Sequence, residues 1–182
     1  MTRIDAVYCS TKCRVYVHRN PFPKEMIALR RWIRYSRTKV PLTPDNEIAS
    51  STHPHTWSDF PWVQTSKAGV GIGFVFNGDG IIGIDIDQAF DDNGNIKDWA
   101  LLILNSLPAT YTEISPSGKG IHILGKGNVS TGRRWTLPDG GVEIYGNGRY
   151  FTMTGKRFLA TPKKLADLGT VIERIEPIVI SQ

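Results

Sequence analysis

A mixed α/β fold of the α+β kind, folded as one unit, is what this sequence predicts, and three observations carry that reading. Short alternating or β-branched stretches recur between Trp32 and Thr154 with turn residues between them, which is the pattern of strands rather than of a helical bundle. One stretch places Ile96, Trp99, Ala100, Ile103 and Leu107 on a single helical stripe before Pro108 stops it. A length of 182 residues suffices for one buried core or for two small halves sharing a cleft, and 40% hydrophobic with 21% charged residues argues against wholesale disorder.

In chain order, Arg14-Val15-Tyr16-Val17-His18 reads as a strand before Pro21 and Pro23 interrupt, and residues 24–29 as a helical turn or two. Residues 32–35 and 39–42 read as strands around a basic turn, with Pro41 placing the second at a sheet edge. Residues 44–61 are rich in Ser, Thr, His and Pro and read as a long loop with room for one short helix. Residues 71–76 and 80–87 flank Asn77-Gly78-Asp79-Gly80, whose tolerance of positive φ predicts a hairpin. Asn95 is the expected cap of the helix over 96–107. Strands are expected at 111–115, 121–124, 142–145 and 150–154, with a basic loop over 126–139. Thr161-Pro162 has the form of an N-cap and first position for a last helix ending near Pro177. There is no internal repeat and no low-complexity tract.

Lys and Arg number 22 against 17 Asp and Glu, a net charge of +5, and several of the acids crowd between Asp79 and Asp98. The expected surface is an acidic pocket in a basic surround, which suits a polyanionic partner. Only Cys9 and Cys13 are present, so a reducing cytoplasm is the expected compartment. No apolar run approaches the roughly 20 residues that span a bilayer, and no membrane role is expected.

The chemistry concentrates in three places. In Ile82-Gly83-Ile84-Asp85-Ile86-Asp87 the isoleucines share one face of a strand, and Gly83, Asp85 and Asp87 share the other. Two carboxylates that close repel unless a proton or a cation intervenes, and a hard ion such as Mg²⁺ suits them. Gly83 is expected to leave room for a ligand. Taken alone, Asp-x-Asp reads first as a solvated strand face. A calcium loop is excluded, because setting its turn glycine at Gly94 puts Ala89 and Ala100 where acidic ligands belong. Next, Ser115-Pro116-Ser117-Gly118-Lys119-Gly120-Ile121-His122 is a loop whose small residues are expected to expose N–H groups. Its hydroxyls on Ser115 and Ser117 and its cation Lys119 suit phosphate oxygens, although it lacks Walker spacing. His122 points opposite to Ile121 and Ile123. Finally, Val142-Glu143-Ile144-Tyr145 sets Glu143 opposite Val142 and Ile144, and it follows the basic loop whose Arg133 and Arg134 suit a nucleic-acid backbone.

Taken in order, Asp85-Ile86-Asp87, the 115–122 loop, and Glu143-Ile144-Tyr145 with Gly148-Arg149-Tyr150 resemble the three motifs of the archaeo-eukaryotic primase superfamily, in particular the prim-pol (primase/polymerase) domains of phage and plasmid replication proteins. The resemblance covers residues 69–155 well and reaches loosely to Trp32-Ile33 and Lys39-Val40-Pro41. It implies one catalytic domain with an N-terminal α/β unit at about 1–68, a motif-bearing, RRM-like core at about 69–160, a C-terminal helix at about 161–176, and an active site in the cleft. It further implies that Asp85, Asp87 and Glu143 hold two Mg²⁺ or Mn²⁺ ions and that Ser117 and His122 meet a nucleoside triphosphate. Arg149 and Lys39 would be further phosphate contacts. Tyr150 is a residue that either stacks on a base or packs as a buried aromatic. The usual third acid in the superfamily is often Asp, so Glu143 is a conservative departure. The implied partners are a single-stranded DNA template, a primer and, in a longer chain, a helicase region.

Two other classes compete. Asp-x-Asp also occurs in nucleotide-sugar glycosyltransferases, and His53-Pro54-His55 superficially resembles the His-hydrophobic-His metal motif of rolling-circle replication proteins. That triplet lies among Ser, Thr and Pro and reads first as exposed loop histidines. Cys9, Cys13 and His18 lack an evident fourth zinc ligand.

Overall fold

A computed structural model describes residues 20–182, so the strand expected at 14–18 and the Cys9, Cys13 and His18 group lie outside the described residues. The elements run α1 (Lys24–Ile27), β1 (Trp32–Tyr35), β2 (Pro41–Leu42), α2 (Phe60–Thr65), β3 (Gly71–Asn77), β4 (Ile81–Asp87) and α3 (Asp98–Ser106). They continue with β5 (Tyr111–Ile114), β6 (Ile121–Lys126), β7 (Arg133–Leu137), β8 (Gly140–Tyr145), β9 (Asn147–Met153) and α4 (Val171–Ile180). The strands form two antiparallel sheets, one ordered β2-β1-β3-β9 and the other β5-β6-β4-β8-β7. The first sheet takes strands from both sides of residue 68, and β2 is its edge, where Pro41 needs no ladder partner. The α+β class follows directly.

Alternation decides how the layers stack. Ile82, Ile84 and Ile86 of β4 join Ile121, Ile123, Val142 and Ile144 on one face, and α3 (Trp99, Ala100, Ile103) and α4 (Val171, Ile175, Val179) cover it. The opposite face of the five-stranded sheet meets the four-stranded sheet through an aromatic cluster that includes Trp32, Phe60, Phe74, Phe76, Tyr111 and Phe151. Burying each such ring is worth about 1.5–3 kcal/mol, so this cluster fixes how the two sheets sit. A third, small cluster of Ile33, Ala49, Trp57 and Val75, joined by Tyr150, fills the outer face of the four-stranded sheet.

The hairpin expected at 77–80 does not form. Gly78 and Gly80 do take positive φ, 73° and 94°, and the chain turns there. Both flanks of β3 are already taken by β1 and β9, however, and both flanks of β4 by β6 and β8, so the two strands part into different sheets. The amide of Gly78 donates to the carbonyl of Gly146 (2.7 Å) rather than closing a two-strand turn. Turn chemistry dictates a reversal, and packing dictates the partner.

Gly83 has the opposite role to the one expected. A Cβ there would lie 2.4 Å from Cζ of Phe76 and 2.5 Å from Cε2 of Phe151, so the glycine admits the facing sheet and not a ligand. Gly83→Ala is therefore expected to cost about 1–3 kcal/mol, as overpacking does. Urea unfolding checks this; an unchanged midpoint would contradict the packing.

Three boundaries also move. Asn95 does not cap α3: Asp91 accepts the amides of Asn93 (2.9 Å) and Asn95 (2.7 Å) in a turn, and the helix starts after Lys97 with no side-chain cap. Residues 126–139 include β7, whose pairing with β8 the basic composition conceals. The last helix begins at Val171, not at Thr161, because residues 161–169 are drawn onto the ends of β5 and β6. There the hydroxyl of Thr161 donates to the carbonyl of Thr112 (3.0 Å), and the amide of Leu168 to that of Lys126 (2.8 Å). Pro177 lies inside α4, on its exposed side, rather than ending it.

Candidate active site

The site is one transverse row across the five-stranded sheet. Glu113 on β5 lies opposite His122 on β6, His122 opposite Asp85 on β4, Asp85 opposite Glu143 on β8, and Glu143 opposite Arg134 on β7. Directly opposed residues share a face, so five ionisable side chains from five strands line up on the side that meets the other sheet. The aromatic cluster covers this face at Gly83 and leaves it progressively open, with Gly83 buried, Asp85 partly buried and Asp87 exposed. The gradient also runs along the row, from Glu113 at 0% side-chain exposure to Arg134 at 71%.

Asp85 is the member with an unsatisfied oxygen. Among the described residues its Oδ1 is buried without a hydrogen-bond partner, and Nε2 of His122 stands 3.7 Å away. Burial pushes its carboxyl from the ordinary 3.8 to about 6, with Asp87 and Glu143 adding to the rise while His122 and Lys39 oppose it. A lone buried carboxylate oxygen beside two further acids is a site in want of a cation or a proton. Glu143 has a partner already, since Nε of Arg134 reaches its Oε1 at 3.1 Å. Such an exposed pair is worth at most about 1 kcal/mol and yields readily to a stronger ligand.

Asp87 stands one step further along the same face, opposite Gly141, which carries no side chain. A pocket of about 380 Å³ opens there, lined by Asp87, Arg134, Thr136, Gly141 and Glu143 among others. The room expected at Gly83 is thus found two rows away. In donor type, hard oxygens including an orphaned one, these acids fit Mg²⁺ or Mn²⁺. Among the described residues, however, no group of three or more His, Cys, Asp or Glu side chains is gathered in an arrangement that could hold an ion, and Glu143 is paired with Arg134.

The other expected residues divide. Ser115, Ser117 and Lys119 form the β5–β6 turn, and Gly120 is pressed beside β4, where a Cβ would lie 2.7 Å from the carbonyl of Ile86. The turn does not offer its amides freely. Gly118 donates to the Ser115 carbonyl (3.0 Å), Lys119 to Oγ of Ser117 (3.2 Å) and Gly120 to Oγ of Ser115 (3.2 Å). What it exposes is Pro116, Ser117, Gly118 and Lys119. Arg149 rests its guanidinium over Tyr145, 5.4 Å from the ring centre, and Tyr145 is the next residue after Glu143 on the same face. Arg133 and Arg134, being consecutive in a strand, point to opposite faces, so only Arg134 joins the row.

Tyr150 belongs to the outer cluster of the four-stranded sheet, away from Asp85. Its ring covers Gly73, its hydroxyl donates to the carbonyl of Lys39, and burial, with Tyr35 adding to it, pushes its phenol up to about 12. It pins the β1–β2 turn that carries Lys39. His53 precedes, and His55 lies within, an exposed one-turn 3₁₀ helix at Pro54–Thr56, with ring centres 5.7 Å apart. Among the described residues no helix is long and apolar enough to cross a membrane.

No family model matches the chain. It is similar to a DNA primase-polymerase of Nitratiruptor phage NrS-1, at 35% identity over an alignment of 153 residues that covers 76% of this chain and 21% of that protein. The chain spans about a fifth of that relative's length. The similarity supports a prim-pol relationship for this chain.

The residue that sequence reasoning passed over is Glu113. It is fully buried and accepts hydrogen bonds from the hydroxyl of Tyr111 (2.8 Å) and the amides of Thr154 (3.0 Å) and Gly155 (2.8 Å), and it faces Nδ1 of His122 at 3.3 Å. Burial, then the Glu113 carboxylate, push the Tyr111 phenol up, so its hydroxyl stays a donor. The available signal was alternation, which sets Glu113 on the face of Tyr111 and opposite Ile114.

Proposed function

We propose that this chain is the nucleotidyl-transfer domain of a DNA primase-polymerase, adding nucleotides from nucleoside triphosphates to a 3′-hydroxyl on a single-stranded DNA template. The observation that carries the reading is the orphaned oxygen of Asp85 within a row of cross-strand acids. The similarity to a phage DNA primase-polymerase supports it. Asp85, Asp87 and Glu143 would hold Mg²⁺ or Mn²⁺, which when bound supplies the positive charge for activating the 3′-hydroxyl and for the departing pyrophosphate.

The chain's own groups bind and orient. His122, held between Glu113 and Asp85, would present Nε2 to an incoming phosphate oxygen. Ser117 and Lys119, exposed on the β5–β6 turn, would be further phosphate contacts, as would Arg149 from the facing sheet. Arg134, released from Glu143, would be free to meet the nucleic-acid backbone, with Arg133 on the outer face of the same strand. Lys39 acts at longer range on the charge of Asp85. A helicase region in the same or a partner chain would supply unwound template.

Labelled nucleotides incubated with primed and with unprimed single-stranded DNA test this. Elongated products that need template and Mg²⁺ or Mn²⁺ are expected. Unchanged primer under both ions would overturn it, and covalent capture of DNA on a tyrosine would favour a rolling-circle protein instead. Transfer of sugar from a nucleotide-sugar would favour a glycosyltransferase.

A further inference from the structure

We propose that Glu113 is a positioning residue that decides which edge of the His122 ring faces the nucleotide; this rests on the reading of the site just given. Two contacts hold the ring independently. Its plane lies against Phe151, with ring centres 4.9 Å apart and planes tilted by 32°. Its Nδ1 edge meets Oε1 of Glu113 at 3.3 Å, which leaves Nε2 toward Oδ1 of Asp85 at 3.7 Å.

The hydrogen-bond inventory sets the proton's place. The amide of Thr154 donates to Oε1, and the Tyr111 hydroxyl and Gly155 amide donate to Oε2. With three donors directed at it, the carboxylate acts as acceptor, and the hydrogen of its contact with His122 belongs to Nδ1. Nε2 is then the edge available to a ligand, in the manner of second-sphere carboxylates that orient histidines. Glu113 touches neither substrate nor the reacting atoms. It lies one residue pair from the 115–120 turn, so turn and histidine are set by the same β5–β6 ladder.

The test reads the ring itself. In the uniformly ¹⁵N-labelled chain, with the His122 signals assigned by comparison with His122→Gln, two-bond ¹⁵N–¹H correlations show which nitrogen carries hydrogen. Hydrogen on Nδ1 is expected in the wild type, and a bare Nδ1 would overturn the proposal whatever the variants do. Glu113→Gln is expected to change that pattern and to raise the KM for nucleotide by roughly tenfold or more. Tyr111→Phe removes one buried donor to the other carboxylate oxygen and is expected to lower the melting temperature while leaving the ring pattern and KM unchanged. A folded Glu113→Gln protein with wild-type ring pattern and KM would also overturn it. Absence of synthesis by the wild type would sink the assigned reaction, while the ring measurement would still decide the role of Glu113.

Discussion

Replacing Asp85 with Asn, alone or together with Asp87→Asn, is expected to cut template-directed nucleotide addition by roughly a thousandfold or more while leaving the fold intact. Among the described residues, no hydrogen bond of the fold runs to Oδ1 of Asp85. The position of β4 is fixed instead by Ile84 and Ile86 beneath it and by ladders on both sides. The amide keeps the shape and removes a charge that faces two like charges. In metal-free buffer the variant should therefore melt at the wild-type temperature or above it. Extension rates and circular-dichroism melting on the same preparations check both halves. An Asp85→Asn protein that extends primers at the wild-type rate would remove the basis for the assigned site.

The second large effect is in stability against pH. Asp85 binds its proton more tightly in the folded state, near pH 6, than at its ordinary 3.8. Below about pH 4 the group is protonated in both states and makes no difference. As pH rises from about 4 to about 6 the unfolded chain gives up this proton first, so stability falls, by about 3 kcal/mol in full. Above pH 6 the folded protein carries the buried carboxylate and the loss is complete. Urea unfolding across pH 4–7 in chelator measures the curve, and subtracting that of Asp85→Asn isolates this group. A difference that is flat, or that rises with pH, would contradict the burial of the charge. Mg²⁺ or Mn²⁺ should reverse the loss, raising the melting temperature near pH 7.5 and leaving it unchanged near pH 4.5.

How much was legible beforehand follows from the range of each signal. Alternation in Ile82-Gly83-Ile84-Asp85-Ile86-Asp87 and in Val142-Glu143-Ile144-Tyr145 is a local property, and it set the acids on one face in agreement with the structure. Register is not local. That Asp85 lies opposite both His122 and Glu143 depends on which strands pair, and the turn at 77–80 pointed to the wrong pair because a turn reverses the chain without choosing its neighbour. Gly83 misled for a related reason: a missing side chain leaves room for whatever packs there, and the aromatic rings of a distant sheet took it. Glu113 was silent because a glutamate in a short strand is ordinarily solvated. Only the convergence of Tyr111, His122 and the chain at Thr154 and Gly155 shows that it is not. Arg133 and Arg134 obscured β7, as charge on an exposed edge strand does.

The most direct measurement is Mn²⁺ binding, followed by electron paramagnetic resonance of the free ion, in the wild type and in Asp85→Asn, Asp87→Asn and Glu143→Gln, each shown to be folded. Saturable binding is expected in the wild type near neutral pH, weakened by roughly tenfold or more in each variant and strengthened in the wild type by a nucleoside triphosphate. Equal Mn²⁺ affinity in all four proteins would contradict the claim that these three carboxylates form one metal-holding site.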